Sequence, residues 1–275
     1  MINRTAILNR FKDKVAIVTG GASGIGRAIT EELCKEGAKV AFTGISETGQ
    51  ATAKTLADAG CDVLFLQGDM IEESFCMQIV DKTLRRWGRV NYLVNNAFSF
   101  TAKGLDATRE DWERVLMVGP VGYATMAQCV VEPMRAQGGG AIVNNSSVSG
   151  HIAQVDRWTY NVAKGAVHNL TKCMALDLAK YNIRVNSISP AWIWTREVQK
   201  AADLDGGGRE KWEPIWGEFH MLRRCAEPVE CAGPVLFLLS DDASFITGSD
   251  LPVDGGYLGM GPEGIGKLTR MAGSR

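Results

Sequence analysis

Val15-Ala-Ile-Val-Thr-Gly-Gly-Ala-Ser-Gly-Ile-Gly26 joins an apolar run to a glycine-rich turn and then to a helical pattern. Val15 to Thr19 reads as a buried strand, being short, apolar and closed by glycine. Gly24 to Glu36 reads as the helix that follows. Glycines at 20, 24 and 26 permit a tight turn and let the backbone approach a pyrophosphate closely. The helix start behind them supplies N–H donors and the positive end of a dipole. The spacing differs slightly from G-x-G-x-x-G. A turn like this is often only a strand-to-helix connection, so its weight depends on what surrounds it.

Outward from that stretch the same alternation repeats. Lys39 to Thr43, Val63 to Leu66 and Tyr92 to Asn95 read as strands. Ser46 to Ala59, with Ser46 as N-cap, and Ile71 to Trp87 read as helices. Ala141 to Asn144 and Val185 to Ile188 continue the strands, and Tyr160 to Lys180 and Val229 to Ser240 the helices. Strands alternating with helices predict an α/β fold, a doubly wound parallel sheet with helices on both faces. One domain over residues 1–258 is expected. The tryptophan-rich stretch 191–225, with Gly206-Gly207-Gly208, breaks the rhythm as a mobile insertion, and residues 259–275 form a tail.

With 30 basic and 31 acidic residues the formal charge is -1, which argues against nucleic acid or an anionic membrane as partner. No apolar run looks able to span a bilayer, and the first 14 residues lack a signal-peptide core. Seven scattered cysteines without a C-x-x-C pair predict reduced thiols and a cytoplasmic protein. His151, His168 and His220 show no ligand spacing, so no metal is expected.

Tyr160-Asn-Val-Ala-Lys164 puts a phenol and an ammonium on one face of a helix. A lysine cation beside a phenol stabilises phenolate and draws its pKa down towards working pH. That is a general acid/base for an alcohol–ketone pair. Ser147, thirteen positions upstream and just past a strand, offers a hydroxyl to orient the substrate oxygen. At the second strand's end, Thr43-Gly44-Ile45-Ser46 holds neither the acid that binds a ribose 2′-hydroxyl nor a base for a 2′-phosphate. Thr43 and Ser46 can bond a phosphate and no acid repels one. NADP(H) is therefore favoured over NAD(H).

Taken together, Thr19-Gly20-x-x-x-Gly24-x-Gly26, Asp69, Asn95-Asn96-Ala97, Ser147, Tyr160-x-x-x-Lys164 and Pro190-x-x-x-x-Thr195 resemble the short-chain dehydrogenase/reductase family over about residues 12–258. The resemblance implies a Rossmann-like sheet of about seven strands binding NAD or NADP at its carboxyl edge. It implies Ser147, Tyr160 and Lys164 as the catalytic set, with Tyr160 and Lys164 also contacting the cofactor. Gly20, Ser23, Gly24, Ile25 and Gly26 would form the pyrophosphate turn. Asp69 would face the adenine, Asn96 line the groove, and Ile193 and Thr195 touch the carboxamide. A small alcohol or carbonyl substrate and a homotetramer or homodimer are implied, the tail reaching a neighbouring subunit.

The chain departs from the family at Phe98 and Ala191, both common glycine positions, and at Gly119, where a catalytic asparagine usually holds a proton-relay water. Pro120 lacks an N–H, so a kink there should free the Leu116 carbonyl to hold that water instead. Two functions follow: an NAD(P)-dependent oxidoreductase, or a dinucleotide-binding regulator or scaffold without turnover. Phe98, Trp158 and Trp192 are candidate substrate contacts beneath a lid over residues 191–225. His151 and His220 read as structural.

Overall fold

The computed structural model describes residues 4–262 and 264–265. The first half runs β1 (Val15–Val18), α1 (Gly24–Lys35), β2 (Lys39–Gly44), α2 (Thr48–Asp58), β3 (Val63–Gln67), α3 (Glu73–Trp87) and β4 (Tyr92–Asn95). Then come α4 (Arg109–Leu116), α5 (Gly122–Ala136), β5 (Gly140–Asn145), α6 (Trp158–Leu178) and β6 (Ile183–Pro190). The chain continues with α7 (Arg196–Leu204), α8 (Gly208–Gly217), α9 (Pro228–Leu239) and β7 (Asp250–Val253). The strands form one sheet in the order β3-β2-β1-β4-β5-β6-β7. Every pairing is parallel.

Successive strand residues point to opposite faces, so the sheet has two cores. Ala16 and Val18 of β1 pack with Ile29, Leu33, Val235 and Leu236 of α1 and α9. Ile17 points the other way and packs with Ile79, Met126, Val130 and Met174 of α3, α5 and α6. Burial on both faces explains why these strands read as continuous apolar runs. The chain order reverses between β1 and β4, and parallel strands bring every carboxyl end to one edge. A crevice at that switch point is where such sheets hold ligands.

Two expectations need correction. Ser46 is not the N-cap of α2, whose first helical residue is Thr48 and whose cap position is Glu47. The Ser46 hydroxyl still accepts the Thr48 N–H at 3.3 Å. Second, the continuous helical stretch 109–136 is long and apolar enough, by length and composition, to cross a membrane. Its apolar residues Val115, Val118, Met126, Val130 and Met134 are buried in the protein, which accounts for the composition. The insertion 191–225 carries two helices, α7 and α8. The expected tail lies largely outside the described residues.

Candidate active site

The glycine turn is built as its sequence demands. Gly20 and Gly24 adopt φ of 64° and 54°, the left-handed region that glycine occupies without strain. Gly26 is required by proximity, because a Cβ there would lie 2.3 Å from the Gly20 carbonyl oxygen. Ser23 is the N-cap of α1, but no side chain caps the helix and its first turn holds no acid. The first-turn N–H groups are thus left by the N-cap side chain as donors that an anion would satisfy. This glycine cradle with uncapped donors fits a dinucleotide pyrophosphate. Ile25 packs its side chain against the core, which leaves only its backbone to face a bound group. Thr195 comes to the same place: a Cβ on Gly24 would sit 3.5 Å from its methyl group. Its hydroxyl accepts the Val198 N–H and caps α7. Ile193 is held by bridge pairing to Ala226.

Asn96 ties this turn to the sheet. Its amide donates to the carbonyls of Thr19 at 3.0 Å and Gly20 at 3.3 Å. Its own carbonyl accepts from the Asn145 amide at 2.9 Å. Asp69 follows β3 and pairs with Arg114 at 2.6 Å. The phosphate role expected for Thr43 fails. Its hydroxyl is buried, accepts the Gly20 N–H at 3.1 Å and donates to the Met70 sulfur. Ser46 and Ile45 remain exposed beside the crevice.

Tyr160 and Lys164 lie on the buried face of α6. Ser147 precedes a short 3₁₀ turn, Val148–Gly150, and its hydroxyl accepts the Ser149 N–H. It donates to the Pro190 carbonyl at 3.4 Å, and it lies near enough to the Tyr160 phenol to act on its titration. The Lys164 ammonium donates to the Asn145 carbonyl at 2.8 Å, which also accepts from the Tyr123 hydroxyl at 3.3 Å. Burial without a carboxylate partner lowers the Lys164 pKa to about 7. Burial pushes the Tyr160 phenol up, with the nearby Ser147 hydroxyl and the Arg157 charge opposing. The expected lowering of the phenol by Lys164 is therefore not what this conformation gives. The amine is turned to a backbone carbonyl, and aromatic rings enclose the phenol.

Those rings belong to Phe98 and Phe100. Phe98 meets Tyr160 edge-on with centroids 5.3 Å apart, and Phe100 stacks on it at 5.4 Å. Lys164 Nζ stands 3.8 Å from the centre of the Phe98 ring. A Cβ on Gly119 would lie 2.7 Å from Phe98 Cε2, so the absence of a side chain at 119 is what admits the ring. The two departures are one exchange: an aromatic ring stands where a side chain at 119 would project. The helix does kink here, through a π-helical turn Met117–Val121 with Gly119 in non-helical geometry. In that i→i+5 register Leu116 faces the Val121 N–H instead of the one Pro120 lacks. The carbonyl expected to be free thus has a donor, and the space beside Gly119 belongs to Phe98.

Phe100 was not anticipated, although the Phe98-Ser99-Phe100 alternation puts both rings on one side of an extended segment. Trp158 does not join them. It lies two residues before Tyr160, about 200° round the helix, and is 51% exposed. Trp192 stacks on Trp216, with centroids 4.6 Å apart, in the cluster that roots α7 and α8. His220 is satisfied inside the fold. It accepts the Trp192 N–H and bonds the Trp216 carbonyl.

Gly119→Asn alone should force the Phe98 ring aside and lower the denaturation midpoint, whereas Gly119→Asn with Phe98→Gly should recover much of the loss. A double-mutant cycle by chemical denaturation is expected to show coupling of about 1–3 kcal/mol. Additivity to within ~0.5 kcal/mol would refute the exchange.

The chain matches the family model described as Enoyl-(Acyl carrier protein) reductase over residues 20–258. It is 38% identical over 252 residues to cyclopentanol dehydrogenase of Comamonas sp. (strain NCIMB 9872), covering 91% of this chain and 99% of that protein. It is 36% identical to the NADP-dependent (R)-specific alcohol dehydrogenase of Lentilactobacillus kefiri, covering 90% and 98%. The ligand-free structure of Thermoplasma acidophilum aldohexose dehydrogenase superposes with a TM-score of 0.85 at 34% identity, over 93% of this chain and 98% of that one. With the glycine turn, the Ser147–Tyr160–Lys164 set and the sheet order already in place, these likenesses establish that the chain belongs to the short-chain dehydrogenase/reductase family.

Proposed function

We propose that this NAD(P)-dependent oxidoreductase interconverts alicyclic secondary alcohols and ketones, with Tyr160 as the group that moves the proton. The observation that carries the reading is Tyr160 packed against the Phe98 and Phe100 rings, with Ser147 beside it, at the carboxyl edge of the sheet. Flat aromatic walls suit a saturated ring and offer no polar partners to the further hydroxyls of a sugar. The relative acting on cyclopentanol supports that choice. The alternative of a binding protein without turnover finds no support among the relatives.

The nicotinamide, when bound, supplies or accepts the hydride. The residues of the chain handle the rest. Ser147 donates to the substrate oxygen and fixes it against Tyr160. In reduction Tyr160 gives its proton to that oxygen; in oxidation it takes the proton back. Lys164 holds its side chain beside the phenol and would bond the nicotinamide ribose. Phe98 and Phe100 exclude water from the phenol.

Tyr160→Phe removes the proton carrier and keeps the ring, so turnover should fall about a hundred- to ten-thousand-fold while dinucleotide binding persists. The assay is reduced-nicotinamide absorbance with cyclopentanol, cyclohexanol and their ketones, and glucose for comparison. Equal kcat/KM for glucose and cyclopentanol would remove the alicyclic assignment, and turnover unchanged in Tyr160→Phe would remove the residue's role.

The pH dependence follows from the phenol's direction of shift. A raised pKa keeps Tyr160 protonated through neutrality, which is the form that reduction needs. Oxidation needs phenolate, so its kcat/KM should climb with pH towards the ordinary tyrosine value of about 10 and beyond. Reduction should hold at neutral pH and decline in the same alkaline range. An oxidation rate that is flat between about pH 6 and 10 contradicts this.

For the dinucleotide, we propose that NADP(H) is accepted, with Ser46 as the phosphate contact now that Thr43 is committed elsewhere. No acid lies in Gly44-Ile45-Ser46 to repel a phosphate, and no cation lies there to hold it. Ile45 is 70% exposed, so Ile45→Arg can add that cation without disturbing the core. The KM for NADP should drop at least ~10-fold, about 1.4 kcal/mol, which is within reach of a charge-assisted hydrogen bond. The KM for NAD should change little. An equal drop for both cofactors would show that residue 45 does not face the 2′-position.

A further inference from the structure

We propose that His151, His168 and Asp250 form a binding site for a divalent transition-metal ion such as zinc, behind the serine of the active site. The three residues come from the turn after β5, from α6 and from β7. Their ligand atoms all lie within 4.8 Å of one another. No short sequence spacing links them, which is why the histidines read as unrelated.

Proton bookkeeping makes the case. His168 Nε2 lies 3.1 Å from the Ser146 hydroxyl and 3.3 Å from the Ser147 carbonyl. Ser146 gives its one proton to the Lys164 carbonyl at 3.0 Å, so its oxygen faces the imidazole as an acceptor. A carbonyl can only accept. Both neighbours therefore require Nε2 to carry the proton, and the neutral ring then leaves a lone pair on Nδ1. That Nδ1 is buried without a hydrogen-bond partner and stands 3.5 Å from Asp250 Oδ1. A lone pair facing a carboxylate is repulsive unless a proton or a cation lies between them.

The surroundings suit a metal. His151 Nε2 reaches the other carboxylate oxygen of Asp250 at 3.0 Å. Ser187 donates to Oδ1 at 2.6 Å, and Ser189 donates to both carboxylate oxygens. These are the outer contacts that fix a ligating carboxylate, as the Ser147 carbonyl fixes His168. Two imidazoles and one carboxylate are a zinc-type donor set and leave a coordination position for solvent. His151, with its side chain 36% exposed, provides the entry path. A cation here would pin α6 to β7 and hold the backbone of Ser147.

The test uses untagged, EDTA-dialysed full-length protein titrated calorimetrically with zinc sulfate. Cobalt(II) is the spectroscopic probe and magnesium chloride the comparison. About one equivalent of zinc per chain should bind and raise the Tm, and cobalt should give d–d absorption free of thiolate charge-transfer bands. His151→Gln keeps a donor for Asp250 but loses the ring nitrogen. It should bind zinc at least ~100-fold more weakly, since loss of an outer contact alone costs about 10–100-fold. His168→Ala should abolish the cobalt spectrum. Zinc binding equal in wild type and His151→Gln, binding carried by thiolates, or magnesium alone raising the Tm would each overturn the site. None of these readouts depends on turnover, so the outcome stands apart from the proposed activity.

Discussion

One asparagine side chain holds the working edge of this protein together. Asn96 donates to the carbonyls of Thr19 and Gly20 and accepts from Asn145. The ends of β1, β4 and β5 are thereby clamped around a single amide. Each of its bonds is buried or half-buried, so each leaves a costly unsatisfied group if broken. The clamp sets where the glycine turn sits relative to the Asn145 carbonyl. That carbonyl in turn receives Lys164. The geometry of cofactor turn and proton site therefore has one common anchor.

Lys164 shows what the anchor must support. Its ammonium lies in the interior without a carboxylate, and burial draws its pKa to about 7. An uncompensated charge in such a place is destabilising. Two weak compensations are present: the Asn145 carbonyl and the face of Phe98. Phe98 acts in a second way, since its ring also shields Tyr160 and favours the neutral phenol. The same ring thus stabilises a cation on one side and disfavours an anion on the other. Gly119 makes the arrangement possible by having no side chain.

The sequence displays the fold because the fold is periodic. Apolar strand runs and amphipathic helices recur along the chain, and each local pattern agrees with the global order. The glycine turn and the Tyr160–Lys164 spacing are legible for the same reason, being fixed by contacts within a few residues. What escapes is settled between distant segments. Thr43 reads as a phosphate ligand until β2 packs beside the Gly20 N–H. Phe98 and Gly119 read as two separate losses, although each is the condition of the other. Trp158 reads as a substrate contact until the helix period turns it away from Tyr160. His151, His168 and Asp250 carry no mutual spacing, and only the β6–β7 pairing with α6 alongside brings them together.

Helix α6 joins the two chemical centres. Tyr160, Lys164 and His168 follow one another at intervals of four and so form a single stripe along one side of the helix. The first faces the substrate crevice, the second the Asn145 carbonyl, and the third the Asp250 carboxylate. A rigid helix cannot shift one of these without shifting the others. Ser146 and Ser147 close the loop from the opposite side, since both meet His168 while the Ser147 hydroxyl lies near Tyr160. Whatever satisfies the Nδ1 lone pair of His168 therefore bears on where the Ser147 backbone sits relative to Tyr160. The proton chemistry at one end of the stripe is held in register by the polar cluster at the other.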